Sequence, residues 1–144
     1  MVFESGIPIR MVGYDVTRQI GFDHDDIARL RASGRRTAAV IADPLSFYLE
    51  KQERVLGLQV APVHDACALV PYVDASLIRT VETSVRVELR GTYTRGMTVC
   101  DMRFLRPGAD AGLEGVLDPN ARVAVEARGR PLMDLVIEAV LAYE

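Results

Sequence analysis

The segment Ala61–Val70 constrains the fold most, because its sequence APVHDACALV predicts an extended stretch that ends where a helix begins. Pro62 disfavours helical backbone in the residue before it. The small and apolar residues that follow Asp65 are typical of a buried helix. His64, one of only two histidines in the chain, lies directly beside Asp65 at this junction. Junctions of this kind commonly carry catalytic and ligand-binding side chains.

The His64-Asp65 pair has two interpretations. In the structural one, Asp65 is the N-cap of the helix and accepts hydrogen bonds from its first turn, while His64 is a packed, hydrogen-bonded loop residue. In the functional one, the two side chains enter a single cavity from different angles. The dipeptide alone favours the structural interpretation, so the surrounding sequence has to decide.

Composition narrows the class of protein. The chain has 144 residues, of which 49% are hydrophobic and 26% charged, as expected of one globular domain. Its net charge of −3, with acids and bases interspersed, predicts neither a nucleic-acid partner nor an anionic membrane surface. The first residues do not resemble a secretory signal, and no apolar run approaches the roughly 20 residues that span a bilayer.

The cysteines and histidines give no support for a zinc site, because the two of each lack ligand spacing. Cys67 lies in the apolar helix and Cys100 in a strand-like run. Without a CxxC pair, both are predicted to be reduced core residues of a cytoplasmic protein.

Two helices are predicted before the junction. The acidic cluster of Asp23, Asp25 and Asp26 precedes a short apolar pattern that stops at Ser33-Gly34. Carboxylates are favoured in a first turn and a calcium loop's glycine is missing, so the cluster indicates a helix start and not a metal site. A longer helix is predicted from Arg35 to about Arg54, bent at Pro44 and followed by Gly57.

The remaining pattern predicts strands and one more helix. A strand-like run covers Ile7–Gly13, and the strand region that contains it is expected to end at Val16-Thr17. Alternating residues over Val85–Arg90, then Gly91 and Tyr93–Asp101, predict a hairpin. Residues 107–120 are expected to form a loop, and residues 122–127 a short closing strand. Pro131 is expected to open a buried terminal helix over 132–142.

Three separated segments resemble the inosine-uridine-preferring nucleoside hydrolases, in that family's order and near its spacing. They are MVGYDVT at 11–17, PVHD at 62–65 with Ala68, and TRGMTVCD at 94–101. The resemblance covers essentially all 144 residues but corresponds only to the C-terminal half of such an enzyme.

The resemblance implies an α/β fold, the C-terminal portion of the nucleoside hydrolase fold, with a mostly parallel sheet flanked by helices and a hairpin-like addition. The 144 residues would then form a single domain. The family's calcium motif, Asp-x-Asp-x-Gly-x-Asp-Asp after the first strand, has no match here. The implied activity is hydrolysis of the N-glycosidic bond of purine or pyrimidine nucleosides to ribose and free base.

The resemblance also implies roles for four residues. Asp65 resembles the calcium ligand that this half contributes, and His64 the proton donor to the departing base. Tyr48 and Gln52 are four residues apart and share a helix face, and they resemble leaving-group contacts. Asp15 and Thr17 fit a family signature but are predicted to serve structure, and Arg95 to cover the hairpin.

Two functions from different classes are therefore expected. The first is the C-terminal part of a nucleoside N-ribohydrolase, inactive as an isolated chain, dependent on Ca²⁺, and acting as a homo-oligomer or as the complement of an N-terminal half. The alternative is a truncated, non-catalytic remnant that serves as an assembly or binding module. The absent aspartate motif separates the two. An unrelated small binding domain would require three coincidental matches.

Overall fold

The computed structural model describes residues 2–103 and 117–143, so the loop predicted at 107–120 lies largely outside the described residues. Five α-helices are described: α1 Tyr14–Thr17, α2 His24–Ala32, α3 Arg36–Leu56, α4 His64–Leu69 and α5 Gly129–Ala142. The strands are β1 Arg10–Met11, β2 Gly21–Phe22, β3 Ala61–Pro62, β4 Ile78–Thr83, β5 Val85–Val87, β6 Thr98–Cys100 and β7 Ala121–Ala127. Short 3₁₀ turns cover Val2–Glu4, Val70–Tyr72 and Ala75–Leu77.

The chain divides into two compact units. One comprises Met1–Met11 and Thr80–Ala124, and the other comprises Val12–Arg79 and Val125–Glu144. The second unit contains the His64-Asp65 junction and all of the predicted site residues.

The first unit contains the predicted hairpin. Strands β5 and β6 pair antiparallel, with Val85 opposite Cys100 and Val87 opposite Thr98. The hairpin is confirmed, but β6 begins at Thr98 and not at Tyr93. The Glu88 carboxylate accepts hydrogen bonds from the backbone N–H groups of the next turn, at 2.6 and 3.0 Å, which folds the intervening residues into turns.

The asparagine at position 120 ties the core of this unit together. Its side-chain NH₂ group donates to the carbonyls of Phe3 at 2.8 Å and Val85 at 3.0 Å, and its Oδ1 accepts from the Val85 N–H at 2.7 Å. These bonds satisfy backbone groups beside the buried cluster of Val85, Ala121 and Val123.

The three-stranded sheet has the order β1-β7-β4 and is mixed. Strands β1 and β7 are parallel, with Arg10 opposite Arg122. Ion pairs of 3.0 Å join Arg122 to Glu82 and Arg79 to Glu126, so the residue numbers of β4 and β7 run in opposite directions, as in an antiparallel pair. The α/β class is confirmed, and strand β7 at 121–127 agrees with the predicted closing strand.

The acidic cluster is confirmed as a helix start. Asp23 is the N-cap of α2 and its carboxylate accepts from the Asp26 N–H at 2.8 Å, while the Asp26 carboxylate accepts from the Asp23 N–H at 3.4 Å. This is a capping box. The Asp26 carboxylate is buried and also accepts from Arg130 at 2.9 Å, and Arg130 pairs with Asp134 at 2.7 Å. The cluster therefore joins α2 to α5.

The two long helices also agree with their patterns. Helix α3 contains Pro44 and ends at Gly57, whose φ of 65° is left-handed and whose N–H donates to the carbonyls of Gln52 and Glu53. Helix α5 buries Leu132, Met133 and Ile137 and carries Pro131 in its first turn, where a missing N–H costs little. Over 2–103 and 117–143, no helix combines the length and apolar character needed to cross a bilayer.

The prediction of extended chain up to Val16-Thr17 is wrong. The Gly13 carbonyl accepts hydrogen bonds from the N–H groups of Val16 and Thr17, both at 3.1 Å, and these bonds form the single turn α1. Strand β1 is consequently only two residues long. The pattern also gave no indication of β4, which has mixed burial and therefore lacks the alternation of a half-buried strand.

Candidate functional site

The junction at residues 61–65 has the predicted form of a strand followed by a helix. Strand β3 pairs antiparallel with β2, with Gly21 opposite Pro62 and Phe22 opposite Ala61. The Val63 N–H then donates to the Ile20 carbonyl at 3.0 Å, and α4 begins at His64.

Gly21 allows this close pairing. A Cβ at Gly21 would lie 2.8 Å from the Pro62 Cα and still closer to the Ala61 carbonyl, so a larger residue would displace the backbone of β3. The position of the junction thus depends on glycine in the opposite strand.

Asp65 does not cap α4. The N-cap position is Val63, without a side-chain capping bond, and Asp65 is the second residue of the helix. The structural interpretation of Asp65 as N-cap is therefore wrong, because the helix starts two residues earlier than that interpretation requires. The Asp65 side chain is exposed, and within the described part of the chain no hydrogen bond or ion pair engages its carboxylate.

His64 is held by residues of α1. Its Nδ1 lies 2.7 Å from the hydroxyl oxygen of Thr17, which is buried with 3% of its surface exposed. The ring of Tyr14 lies 5.6 Å from the imidazole, centroid to centroid, at an interplanar angle of 31°. The Arg18 guanidinium carbon is 6.0 Å from the Tyr14 ring centroid. Two residues of one short turn, Tyr14 and Thr17, therefore form one side of the histidine's surroundings.

No sequence pattern connects the residues of α1 with His64. Thr17 was assigned a structural role, and 47 residues separate it from His64. The one available signal was that Tyr14 and Thr17 lie in the first of the three segments that carry the family resemblance.

Tyr48 and Gln52 lie on α3 and share a face, as predicted from their spacing. Both are half-buried, and α3 packs against β3, the strand that leads to His64. The Oε1 atom of Gln52 is buried and has no hydrogen-bond partner among the residues described. A buried acceptor without a partner is costly, typically by about 1–3 kcal/mol. The structure records no hydrogen bond from either side chain to His64 within this same part of the chain.

The described residues alone do not form a complete metal site. In residues 2–103 and 117–143, no three His, Cys, Asp or Glu side chains come close enough together to hold an ion. Asp26 is engaged by Arg130, and His24 lies 2.9 Å from a Glu53 carboxylate oxygen. Asp65, exposed and without a donor, is the carboxylate at the junction that remains able to contribute an oxygen ligand.

Cys67 follows the pair on the buried side of α4. Its side chain is fully buried, and burial raises the pKa of the thiol from 9.0 to about 11, because the thiolate is disfavoured away from water. Both cysteines are thiols, as predicted. Cys100, in contrast, is only partly buried and packs against the core cluster of the first unit.

The shifted pKa predicts an unreactive Cys67. At pH 8 a thiol of pKa about 11 is thiolate in about one molecule per thousand, against about one in ten at pKa 9.0, and the thiolate is the nucleophile. In a Cys100→Ser variant we therefore expect DTNB to modify Cys67 at least about 100-fold more slowly in the native protein than in urea. Equal rates under the two conditions would contradict the buried position of Cys67.

Solved structures define the class of protein to which this fold belongs. A purine-preferring ribonucleoside hydrolase from Gardnerella vaginalis superposes with a TM-score of 0.79 at 25% identity, over 98% of this chain and 42% of that one. A plant nucleoside hydrolase superposes with a TM-score of 0.80 at 22% identity, over 98% of this chain and 43% of that one. The fold is that of part of a nucleoside hydrolase.

The family follows from the sequence comparison. The profile described as inosine-uridine preferring nucleoside hydrolase matches residues 1–133, and the chain belongs to this family. A pyrimidine-specific ribonucleoside hydrolase from Salmonella arizonae is 38% identical over an alignment of 144 positions, which covers 99% of this chain and 43% of that protein. One from Citrobacter koseri is 37% identical with the same coverage. The chain thus spans less than half the length of these curated relatives, and the expected family is confirmed.

Proposed function

We propose that this chain is the part of a ribonucleoside hydrolase that supplies the proton donor to the departing base and one carboxylate ligand for a metal ion. His64 is the proposed donor and Asp65 the proposed ligand. The observation that carries the proposal is the state of the junction: His64 is oriented by Thr17, while the neighbouring Asp65 carboxylate is exposed and is not used as a cap.

The chemistry accounts for a histidine at this position. Breaking an N-glycosidic bond builds positive charge on the ribose and negative charge on the base. A positioned acid eases departure of the base by protonating it as the bond breaks, and histidine is the side chain whose ordinary pKa is nearest neutral pH. A proton would pass from the imidazolium to a nitrogen of the base, leaving neutral imidazole and free base.

Asp65 fits one position in a calcium site. Calcium takes about six to eight oxygen ligands, and within the described residues no three His, Cys, Asp or Glu side chains cluster, so further carboxylate ligands would come from elsewhere. A bound Ca²⁺ would orient ribose hydroxyls and lower the pKa of a bound water. The role of this chain is to present one carboxylate beside the acid.

Tyr48 and Gln52 are proposed to contact the leaving base. The buried Gln52 Oε1 lacks a partner within the described residues, and an N–H of a purine or pyrimidine would provide one. The Tyr48 ring, half-buried one turn away on the same face of α3, can pack against the flat base. The substrate class proposed is purine or pyrimidine ribonucleosides, with inosine and uridine as the test substrates.

We further propose that the protein is cytoplasmic and acts as a homo-oligomer or with an N-terminal complement. The two cysteines, both thiols, support a reducing compartment. The interspersed charge and net charge of −3 support a small-molecule substrate and neither a nucleic-acid nor a membrane partner.

The test uses a completed enzyme, defined as this chain joined, covalently or as a second chain, to the portion of the Salmonella arizonae relative that it does not span. Release of hypoxanthine from inosine and of uracil from uridine is followed with calcium present. We expect release from the completed enzyme and none from the 144-residue chain alone. A folded, calcium-binding assembly that releases no base would refute the proposal and favour a non-catalytic module.

A further inference from the structure

We propose that Thr17 is a positioning residue for His64. Its hydroxyl holds Nδ1 of the imidazole, so that Nε2 is the ring nitrogen left to meet the departing base. The catalytic meaning of this contact depends on the function proposed above, but the contact itself does not.

The geometry supports a fixed contact. Thr17 Oγ1 and His64 Nδ1 are 2.7 Å apart, within hydrogen-bond distance, and the Thr17 side chain is shielded from water. The backbone of Thr17 is held by the bond from its N–H to the Gly13 carbonyl, at 3.1 Å. A β-branched side chain in a helical turn has few rotamers. The hydroxyl therefore occupies a defined position opposite the first residue of α4.

Tyr14 restricts the same ring from a second direction. Tyr14 and Thr17 are three residues apart in α1 and therefore lie on one side of the turn. The Tyr14 ring packs on the imidazole at an angle of 31°, with a centroid separation of 5.6 Å. A hydrogen bond at Nδ1 combined with a ring contact limits rotation of the imidazole about its side-chain bonds.

A hydroxyl suits this position because the acid must exist in two protonation states. In the imidazolium both ring nitrogens are donors, so Nδ1–H donates and the Thr17 oxygen accepts. When the Nε2 proton passes to the base, the Nδ1 proton stays in place and the bond to Thr17 is retained. Solvent then returns a proton to Nε2. The hydroxyl oxygen can accept from Nδ1–H before and after this transfer.

A purely structural Thr17 would leave a different signature. Its hydroxyl would then serve packing, and its loss would change the free energy of unfolding without changing the ring nitrogens of His64. A positioning Thr17 instead determines which ring nitrogen of His64 carries the proton in the neutral imidazole.

The contact is tested by ¹⁵N NMR of the imidazole nitrogens in the full chain, at one pH where both histidines are neutral. His24 is the second histidine and an internal reference, assigned with a His24→Gln variant. We expect His64 to be enriched in the Nδ1–H tautomer relative to free histidine. Thr17→Val should return its shifts toward free histidine, Thr17→Ser should preserve them, and His24 should not change.

Two results would overturn the proposal that the His64 Nδ1–H donates to the Thr17 hydroxyl. One is a free-histidine tautomer ratio at His64 in the unsubstituted chain, which needs no variant to fold. The other is an unchanged His64 spectrum in a folded Thr17→Val protein.

The catalytic meaning is tested in the completed enzyme. Thr17→Val should lower kcat for inosine roughly 10- to 100-fold, as expected of a misplaced catalytic group, with Thr17→Ser restoring most of it. Hydrolysis of p-nitrophenyl riboside, whose leaving group needs little protonation, should change much less. If the NMR result holds but the completed enzyme is inactive, the proposed function fails and the contact stands. If the enzyme is active but Thr17→Val slows neither substrate, or both equally, the positioning role is refuted.

Discussion

Replacing His64 with alanine in the completed enzyme is expected to lower kcat for inosine by roughly 10²- to 10⁴-fold, the usual contribution of a general acid. The reason is that hypoxanthine departs poorly as an anion, and alanine has no proton to give. The measurement is initial rates of base release at saturating inosine. The loss should appear in kcat, because protonation matters in the transition state more than in binding.

The leaving group separates this role from a structural one. The leaving group of p-nitrophenyl riboside departs as a stable phenolate. The kcat for this substrate should therefore fall much less on the same substitution. His24→Ala is a matched control, since His24 also lies at a helix start, pairs with Glu53 and has no assigned role in the reaction. Equal slowing of both substrates by His64→Ala would make His64 a structural or ribose-binding residue.

Local sequence patterns predicted the elements whose causes are local. The capping box of Asp23 and Asp26 and the left-handed Gly57 both place their helix ends correctly, because each involves residues within a few positions of one another. The turn α1 was missed because an apolar run resembles a strand, and the hydrogen bonds to the Gly13 carbonyl override that pattern.

The strand-to-helix junction that carries the candidate site was predictable for the same reason. Pro62 and the small apolar residues after Asp65 located the strand-to-helix junction, but not which residue occupies the N-cap. That assignment depends on backbone torsions, and the N-cap residue proved to be Val63. The contact between Thr17 and His64 joins two segments far apart in sequence, and no periodicity reports it. The family resemblance was the one sequence signal that included both segments.

Asp65→Ala is expected to act differently from His64→Ala, because it should slow inosine and p-nitrophenyl riboside alike. A ligand of the ion that orients the ribose serves either leaving group, and losing such a ligand is expected to cost about 10²-fold or more in kcat/KM.

Because Asp65 lies at the surface, a loss of kcat/KM in Asp65→Ala can be distinguished from a loss of stability. Its side chain is exposed and is not the N-cap, so alanine should change the free energy of unfolding of the 144-residue chain by less than about 0.5 kcal/mol in urea titration. Loss of a true cap would cost about 0.5–2 kcal/mol. A destabilised chain with unchanged kcat/KM would make Asp65 a helix-stabilising residue, and a loss confined to inosine would assign it to the leaving group. We expect kcat/KM to fall equally for both substrates while the free energy of unfolding stays unchanged, because the Asp65 carboxylate is exposed and lies beside an oriented histidine.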